Sequence, residues 1–505
     1  MKVSLSFIAL GIFIASCGSH KSETTISAKE DYNQPHRPQI HFSPKAKWMN
    51  DPNGMVYFNG IYHLFFQFYP DSTVWGPMHW GHATSKNLIH WQQQPIALYP
   101  DSLGYIFSGS AVVDSNNTSG FGKDGKIPLV AIFTNHDPKA EKEGSTTFQN
   151  QSIAYSLDEG QTWTKYTGNP VLKNPGIGDF RDPKVSWYEP AEKWIMTLAT
   201  LDRITFYSSK DLKTWTKESE FGQTFGAHGG VWECPDLFPL DYNGERIWIL
   251  LVSINPGGPN RGSATQYFTG RFDGTTFTPF QTDARWIDYG ADDYAGVTFS
   301  NTGTRKIFIG WMNNWLYADH VPTKEWRGAT TIPRELHLQK IDDKYYLTSQ
   351  PVKELELIQN DPILLNDFPA SDYSVTVKPT PFKFSITTDS ITSCNIILSN
   401  DAGEKLDVAY EKFTNEYFVT RRNAGNSSFH PAFASVHKAP RLTRAPNADI
   451  TLLVDRASIE LFADNGLTVM TEICFPSQPW TKVSLLSEGM IVKELKYIPL
   501  KGIWE

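Results

Sequence analysis

The chain has 505 residues, which is more than one ordinary domain contains, so at least two hydrophobic cores are expected. The composition, 40% hydrophobic and 20% charged, is that of a soluble globular protein, and a net charge of -8 without basic runs excludes nucleic acid as a partner. Aromatic residues reach 13% and include 16 Trp, an enrichment that is typical of clefts in which rings stack on sugars.

The N-terminal residues have the pattern of a targeting segment. A basic residue precedes an apolar stretch over residues 3–14, which is too short for a transmembrane helix and predicts a signal peptide over residues 1–16. Residues 14–17 resemble the lipobox of bacterial lipoproteins. By that resemblance Cys17 becomes a lipid-modified N-terminus, and residues 17–34 form a flexible tether. A plain signal peptide with a nearby cysteine is the alternative.

From about residue 40 to residue 340 the sequence repeats one β pattern. Each copy has a small or acidic residue, a short strand, a turn and an apolar strand. The copies begin at Asp51, Gly109, Asp182, Asp236 and Ala295. Propeller blades repeat at about 40–50 residues and insertions lengthen them, so five copies predict a five-bladed β-propeller, which we place at residues 35–354. In that fold the first residues of the innermost strands meet at one end of the axis.

A second repeated unit follows the first in most copies. It is a polar turn that ends on an aromatic residue, and it occurs at residues 85–91, 156–163 and 209–215, with a looser copy at 271–277. A polar turn before an aromatic residue indicates a hairpin that joins the outer strands of a blade.

The pattern changes near residue 365 to short alternating strands that are separated by turns. This spacing predicts a β-sandwich over residues 367–505, with residues 355–366 as the linker. The predicted fold class is therefore all-β, a five-bladed β-propeller followed by a C-terminal β-sandwich.

Three cysteines remain beyond the lipobox. Cys234, Cys394 and Cys474 are an odd number, which argues against a disulfide framework, although a pair between Cys394 and Cys474 stays open. No Cys or His spacing indicates a metal site.

Three acidic motifs stand at the starts of predicted innermost strands: Trp48 to Gly54 with Asp51, Phe180 to Pro183 with Asp182, and Trp232 to Asp236 with Glu233. In the first, Pro52 restricts Asp51 to extended backbone, and Asn53-Gly54 predicts a tight turn.

Each motif alone has a structural explanation. These explanations are a common turn, a local ion pair between Arg181 and Asp182, and a solvated Glu233. Three carboxylates that converge repel one another and cost stability, so their combination indicates a functional site.

The motifs together are similar to those of glycoside hydrolase family 32, the fructan hydrolases and invertases, over essentially the full mature length. Residues 48–54 match the family's signature, and Arg181-Asp182-Pro183 and Glu233-Cys234 match two further motifs in the same order. Residues 107–110 and 454–462 match additional family motifs. The resemblance implies a propeller with a sandwich, in agreement with the repeats, and a retaining glycosidase.

The resemblance also implies roles for individual residues. Asp51 is expected to be the nucleophile, Glu233 the acid/base catalyst and Asp182 the stabiliser of the transition state. The substrate-binding positions implied are Asn50, Gln67, Trp75, Phe107, Ser108, Arg181 and Trp315.

The substrate implied by the resemblance is a β-fructan. Blocks at residues 75–82 and 313–328 look most like bacterial levanases and exo-inulinases, which favours release of terminal fructose from levan or inulin and action on sucrose. An endo-levanase that yields oligosaccharides is the alternative within the same chemistry.

No cofactor and no metal are expected. The expected partners are the fructan and, through the lipid anchor alone, a membrane; the protein is expected to be a monomer, exported to the periplasmic or surface face of the cell envelope.

Hypotheses from other classes remain open at this point. One is a fructan-binding surface lipoprotein without turnover, which would gain little from three repelling acids. Another is a fructosyltransferase that shares the covalent intermediate. A pentose-specific glycosidase with a five-bladed propeller would share the acids but lack the signature at residues 48–54. The sandwich is expected to stiffen the propeller, with carbohydrate binding as the alternative.

Overall fold

The computed structural model describes residues 32–504 of the chain. The predicted signal peptide, Cys17 and most of the predicted tether lie outside these residues. Within residues 32–504 nearly all regular structure is β-strand, and no helix there is both long and apolar enough to cross a membrane. The predicted all-β class is confirmed.

The first part of the described chain forms five sheets. The first sheet contains β1 (Lys47–Phe58), β2 (Ile61–Tyr69), β3 (His79–Ser85) and β4 (Gln92–Leu98). The second contains β5 (Tyr105–Val113), β6 (Leu129–His136), β7 (Gln149–Ser156) and β8 (Thr164–Lys165), with helix α1 (Pro138–Lys142) between β6 and β7. The third contains β9 (Phe180–Tyr188), β10 (Lys193–Thr200), β11 (Arg203–Ser209) and β12 (Thr216–Phe221).

The fourth and fifth sheets complete this part. The fourth contains β13 (Val231–Tyr242), β14 (Glu245–Asn255), β15 (Ala264–Phe272) and β16 (Phe277–Pro279), and β17 (Arg285–Trp286) also pairs with β15. The fifth contains β18 (Tyr294–Thr298), β19 (Ile307–Trp311), β21 (Arg334–Ile341) and β22 (Lys344–Pro351), and the intervening β20 (Trp326–Arg327) pairs in parallel with β1. Short 3₁₀ helices span Glu189–Ala191, Ala318–His320 and Lys353–Ile358.

The five innermost strands close a ring. β1, β5, β9, β13 and β18 contact one another in that order, and β18 contacts β1. The five-bladed propeller is confirmed, and each innermost strand contains one of the five predicted repeat starts.

The polar turns of the second repeated unit join the outer strands, as predicted. In the second blade the Ser156 hydroxyl donates to Asp158 at 2.7 Å, Asp158 accepts from the Thr162 backbone at 2.9 Å, and the Trp163 indole donates to the Gly160 carbonyl at 3.2 Å. The same bonds recur at residues 209–215. These side chains satisfy the backbone of the turn, which is why the motif repeats.

Every innermost strand is irregular where it starts. The pairing with its neighbour shifts register at that end in all five blades. Asp182, Cys234 and Ala295 have φ angles of 64°, 45° and 54°, a region that non-glycine residues seldom occupy. A bulge bends a strand and redirects its side chains, so these irregularities decide which residues face the propeller axis.

The turn predicted at Asn53-Gly54 is instead part of the bulged strand β1. Gly54 has a φ of 57°, and a Cβ there would lie 2.7 Å from the Trp80 ring and 2.8 Å from the Phe65 ring. Gly54 is therefore required both by its backbone conformation and by the close approach of two rings.

The last part of the described chain forms two six-stranded sheets, a β-sandwich. The first sheet contains, in spatial order, β23 (Ile363–Pro369), β34 (Ile491–Pro499), β25 (Phe382–Thr388), β30 (Ala448–Val454), β31 (Ser458–Ala463) and β32 (Thr468–Ile473). The second contains β24 (Tyr373–Thr376), β33 (Lys482–Ser487), β26 (Cys394–Ser399), β27 (Lys405–Glu411), β28 (Glu416–Asn423) and β29 (Val436–Pro440). The range 355–366, predicted as a linker, includes the start of β23, because that strand pairs with the final strand β34.

The cysteines of the described residues are not paired. Cys234, Cys394 and Cys474 are all free and buried. The open question of a Cys394–Cys474 disulfide is thereby answered in the negative.

Two buried charge clusters join the propeller to the sandwich. In the first, Arg334 of β21 lies 2.9 Å from Asp288 and 3.1 Å from Asp293, and its Nε donates to Glu460 of β31 at 3.0 Å. His41 contacts Glu460 at 2.7 Å. Burial alone would lower the pKa of His41, but its hydrogen bonds to carboxylates raise that pKa to about 9, so the imidazole is a second cation of the cluster.

The second cluster is centred on Arg421 of β28. Its guanidinium lies 2.5 Å from Asp292 of the propeller and 3.1 Å from Glu472 of β32, and the Tyr317 hydroxyl donates to Asp292 at 2.5 Å. His437 contacts Glu472 at 2.8 Å. Arg421, Asp292 and Glu472 are wholly buried, so each charge depends on its partners for stabilisation.

Replacement of Arg421 by Met is expected to lower the free energy of unfolding by about 3–5 kcal/mol, because two carboxylates are left buried without their cation. The measurement is urea denaturation, with Arg444→Met at an exposed arginine of the same domain as the control. A loss no greater than that of the control would show that the cluster contributes little to stability.

Candidate active site

Three carboxylates converge on one cavity at the end of the propeller where the innermost strands start. Asp51 lies on β1, Asp182 on β9 and Glu233 on β13, and all three line a cavity of about 290 Å³. The closed ring brings together residues that are far apart in sequence.

Asp51 is held by neutral donors. The Asn50 amide donates to Oδ1 at 2.9 Å and the Ser108 hydroxyl donates to Oδ2 at 2.8 Å. The Trp48 indole donates to the Asn50 side-chain oxygen at 2.8 Å and so fixes which way that amide faces. Burial and the charge of Glu233 raise the pKa of Asp51, while the two hydrogen bonds oppose this rise. Both carboxylate oxygens are thus fixed in position without a cation.

Asp182 is the most enclosed of the three acids. Its Oδ2 accepts a hydrogen bond from the Cys234 backbone at 3.0 Å, and its own backbone donates to the Thr134 hydroxyl at 3.1 Å. Burial raises the pKa of Asp182 to about 7, and the charges of Glu233 and Asp51 raise it whereas Arg181 lowers it.

Glu233 is in contact with different partners from those of Asp51. Arg181 donates to Oε1 from Nε at 3.1 Å and from Nη2 at 2.9 Å, and the Tyr294 hydroxyl donates to Oε2. Arg181 also forms an ion pair with Asp179. The Glu233 side chain is 21% exposed to the cavity, so a ligand can reach it.

Cys234 lies between two of the acids. Its Sγ is 3.6 Å from Asp51 Oδ2 and 3.7 Å from Asp182 Oδ2. Burial and the neighbouring carboxylates raise the pKa of the thiol well above its usual value, so it stays protonated and donates weakly to both acids. This environment is the opposite of that of a nucleophilic cysteine.

The remaining predicted binding residues surround the acids. Gln67, Trp75, Phe107 and Trp315 all line the cavity. The amide nitrogen of Gln67 is buried and has no hydrogen-bond partner among the described residues, which leaves it available for a ligand hydroxyl. Trp75 is 41% exposed and forms the rim, and its backbone is fixed by Asp319 at 3.1 Å.

Several residues of the cavity were not foreseen from sequence. They are His136, Glu141, Gln149, Asp179 and Asn255, which line the cavity, and Tyr294, which contacts Glu233. In the structure Arg181, Glu233 and Tyr294 each directly precede a residue of positive φ on an innermost strand, a relation that the sequence does not display. Within the described residues, no group of three or more His, Cys, Asp or Glu side chains has an arrangement that could hold a metal ion.

Comparison with protein families matches residues 41–351 to the glycosyl hydrolases family 32 N-terminal domain and residues 356–499 to the C terminal of the same family. The chain belongs to glycoside hydrolase family 32. As a member of this family it is a glycosidase.

Individual relatives of the family 32 chain cover nearly all of it. A levanase of Bacillus subtilis is 46% identical over 94% of this chain and 72% of its own length. An extracellular exo-inulinase of Aspergillus niger is 41% identical over 92% of this chain and 94% of its own length. The crystal structure of an exo-inulinase from Aspergillus awamori superposes with a TM-score of 0.87 at 38% identity, covering 94% of this chain and 100% of that one.

Replacement of Asp182 by Asn is expected to change how stability depends on pH. The folded pKa of about 7 lies above the unfolded value of about 3.9, so between these values the folded state holds a proton that the unfolded state lacks, and wild-type stability falls as pH rises. The variant has no carboxyl at this position, so its stability does not fall in this way. The difference in free energy of unfolding, variant minus wild type, should therefore increase by more than about 1 kcal/mol from about pH 4 to about pH 8.

Urea denaturation across that pH range measures this difference. Asp401→Asn, at an exposed carboxylate in a sandwich loop, is the matched control and should show a flat difference. A flat difference for Asp182→Asn as well would show that the carboxyl titrates as it does in the unfolded chain.

Proposed function

We propose that this family 32 chain is a retaining β-fructosidase that releases terminal fructose from levan or inulin and also hydrolyses sucrose. The observation that carries the proposal is the contrast between two acids of one cavity. Asp51 is fixed by neutral donors, whereas Glu233 accepts hydrogen bonds from the Arg181 guanidinium and a tyrosine hydroxyl and is partly exposed to the cavity. Relatives named levanase and exo-inulinase support the choice of substrate.

In the first step, a carboxylate oxygen of Asp51 attacks the anomeric carbon of the terminal fructosyl unit. The bond from that carbon to the leaving oxygen breaks, and Glu233 donates a proton to the leaving oxygen. A covalent fructosyl ester on Asp51 results. The Asn50 and Ser108 hydrogen bonds hold the attacking carboxylate in one orientation before substrate arrives, which reduces the entropy cost of attack.

In the second step, Glu233 takes a proton from water, and the oxygen of that water attacks the anomeric carbon. The ester bond breaks, and Asp51 returns to its carboxylate form while fructose leaves. Asp182 accepts hydrogen bonds from sugar hydroxyls and stabilises the positive charge that develops on the ring, with Arg181 keeping Glu233 beside the leaving oxygen. Gln67, Phe107, Trp75 and Trp315 form the walls of the fructose pocket.

The size of the cavity favours action at chain ends. A volume of about 290 Å³ lies at the lower limit of about 300–1,000 Å³ for small-molecule sites, so it holds a terminal sugar rather than a long internal stretch of polymer. An endo-levanase needs a cleft that is open at both ends. Chromatography of the earliest products from levan, inulin and sucrose tests this point.

Fructose alone from the first samples is the expected product of levan and inulin. A ladder of oligosaccharides would instead identify endo-action, transfer products at high sucrose would identify a fructosyltransferase, and no product would favour a binding protein. The relative rates on levan and inulin give the preferred linkage.

Replacement of Asp51 or Glu233 by Ala is expected to lower turnover of sucrose by several orders of magnitude while circular dichroism stays that of the wild type. The two variants should differ on fructosyl fluoride, whose leaving group needs no proton. Glu233→Ala should still form the covalent ester, detected by mass spectrometry, whereas Asp51→Ala should not. Glu404→Ala, at a sandwich residue outside the cavity, is the control, and near-normal turnover of pure Glu233→Ala would refute the assignment.

We also propose that the protein is exported and anchored to the cell envelope through a lipid on Cys17. The support is the lipobox-like segment at residues 14–17. In a Gram-negative host, the wild-type protein should appear in the membrane fraction and Cys17→Ser in the soluble fraction. Ser16→Ala is the control, and equal membrane partition of wild type and Cys17→Ser would refute anchoring.

A further inference from the structure

A second cavity lies at the opposite end of the innermost strands from the three acids. Its volume is about 1120 Å³, several times that of the cavity around Asp51. The later residues of β5, β9 and β13 and the residues at the end of β18 form it, and it extends outward between the third and fourth blades. We call it the rear cavity.

The floor of the rear cavity is an ion pair that separates it from the acids. Lys184 and Asp236 are 3.1 Å apart, and each follows a residue of the acid site, Asp182 or Cys234, by two positions on the same strand. Asp236 is wholly buried, and its Oδ2 accepts two hydrogen bonds from Thr298. The Asp236 Oδ1 has no hydrogen-bond partner among the described residues.

A second polar group of the rear cavity also lacks a partner. The Lys306 ammonium makes no hydrogen bond and no ion pair with any residue in 32–504, and the residue is partly exposed. An ammonium that no described protein group engages and that lines a cavity is free to donate to the polar atoms of a ligand.

Aromatic rings form the walls of the rear cavity. Trp187 and Tyr188 end β9, and Trp248 lies on β14 of the next blade; all three are partly exposed. Trp187 is supported by Trp194 at 5.0 Å and Tyr188 by Trp248 at 6.0 Å between ring centroids. Rings that are held in place and exposed on one side suit the stacking of sugar rings, with hydroxyls left for the polar groups.

The charges of the rear cavity favour a neutral ligand. Four basic and four acidic side chains line it, so its formal charge is zero. The volume exceeds the range of about 300–1,000 Å³ that small-molecule ligands occupy, so it accommodates more than a monosaccharide.

We infer that the rear cavity binds an internal stretch of the same neutral polysaccharide whose end is cleaved between Asp51 and Glu233. The inference rests on the proposed function, because that function supplies the polymer. A long or branched chain reaches both ends of the propeller, whereas sucrose occupies only one. Attachment at two places raises the local concentration of chain ends, so the rear cavity strengthens binding of polymers without any effect on sucrose.

Affinity electrophoresis in gels that contain levan or inulin tests the inference. Trp187→Ala and Trp248→Ala are compared in a Glu233→Gln background, which prevents digestion of the polymer. Each is expected to weaken binding to the retaining polymer about tenfold, the equivalent of about 1.4 kcal/mol. Phe413→Ala, at a ring that is 95% exposed on the sandwich, is the matched control and should migrate as the parent does.

Kinetics of the same substitutions in the active enzyme give an independent measure. KM for levan or inulin should rise about tenfold, while kcat and the KM for sucrose stay at wild-type values. If a tryptophan variant fails to fold, as judged by thermal unfolding, Lys306→Gln tests the same cavity. Unchanged retardation and unchanged KM for the polymer would overturn the inference and leave the cavity as the solvent-filled end of the propeller channel.

The two proposals fail in different ways. If the wild-type protein hydrolyses fructans but the rear-cavity substitutions leave its retardation unchanged, the rear site alone is refuted. If the wild-type protein hydrolyses no fructan but is retarded in the gel, and Trp187→Ala removes that retardation, the proposed hydrolysis is refuted and the polysaccharide site is supported.

Discussion

Crowding at the axis of the propeller decides the backbone shape of the innermost strands. Five strands from distant parts of the chain must come together there, and their regular pleat would point alternate side chains into neighbouring blades. The bulge at the start of each strand changes that direction. Asp182, Cys234 and Ala295 have a strained backbone, and the residue before each one is directed to the acid site. Arg181 and Glu233 line the cavity, and Tyr294 contacts Glu233.

The electrostatics of the cavity follow from this crowding. Five carboxylates line the cavity, three of them from the innermost strands that carry Asp51, Asp182 and Glu233. Arg181 is the only cation among the described lining, because burial lowers the pKa of His136 to about 4. Its position beside Glu233 rather than Asp51 divides the acids into one that is fixed by neutral hydrogen bonds and one that lies next to a strong donor. Burial, and after it the charges of Glu233 and Asp51, raises the pKa of Asp182.

Sequence reasoning was most successful where a pattern is local and repeated. The five blade starts and the polar outer turns follow from short motifs, and so do the positions of Asp51, Asp182 and Glu233 on the axis. It was least successful for contacts between residues of different blades, because these contacts depend on how the ring of blades closes. Tyr294 touches Glu233 only because the fifth blade lies beside the fourth, and Glu141 reaches the cavity from a short helix inserted in the second. The turn expected at Gly54 proved to be a bulge, since two rings from neighbouring strands decide its shape.

The charge clusters between the two domains have a consequence for the ancestry of this architecture. The segment from Asp288 to Asp293 is bound by sandwich residues such as Thr471 and Arg421, and the next residue in the chain is Tyr294, which touches Glu233. A sandwich exchanged between two relatives would therefore bring foreign partners to a segment one residue from the active site. Recombination that moves the sandwich must move this segment with it, so the two domains are expected to share one evolutionary history.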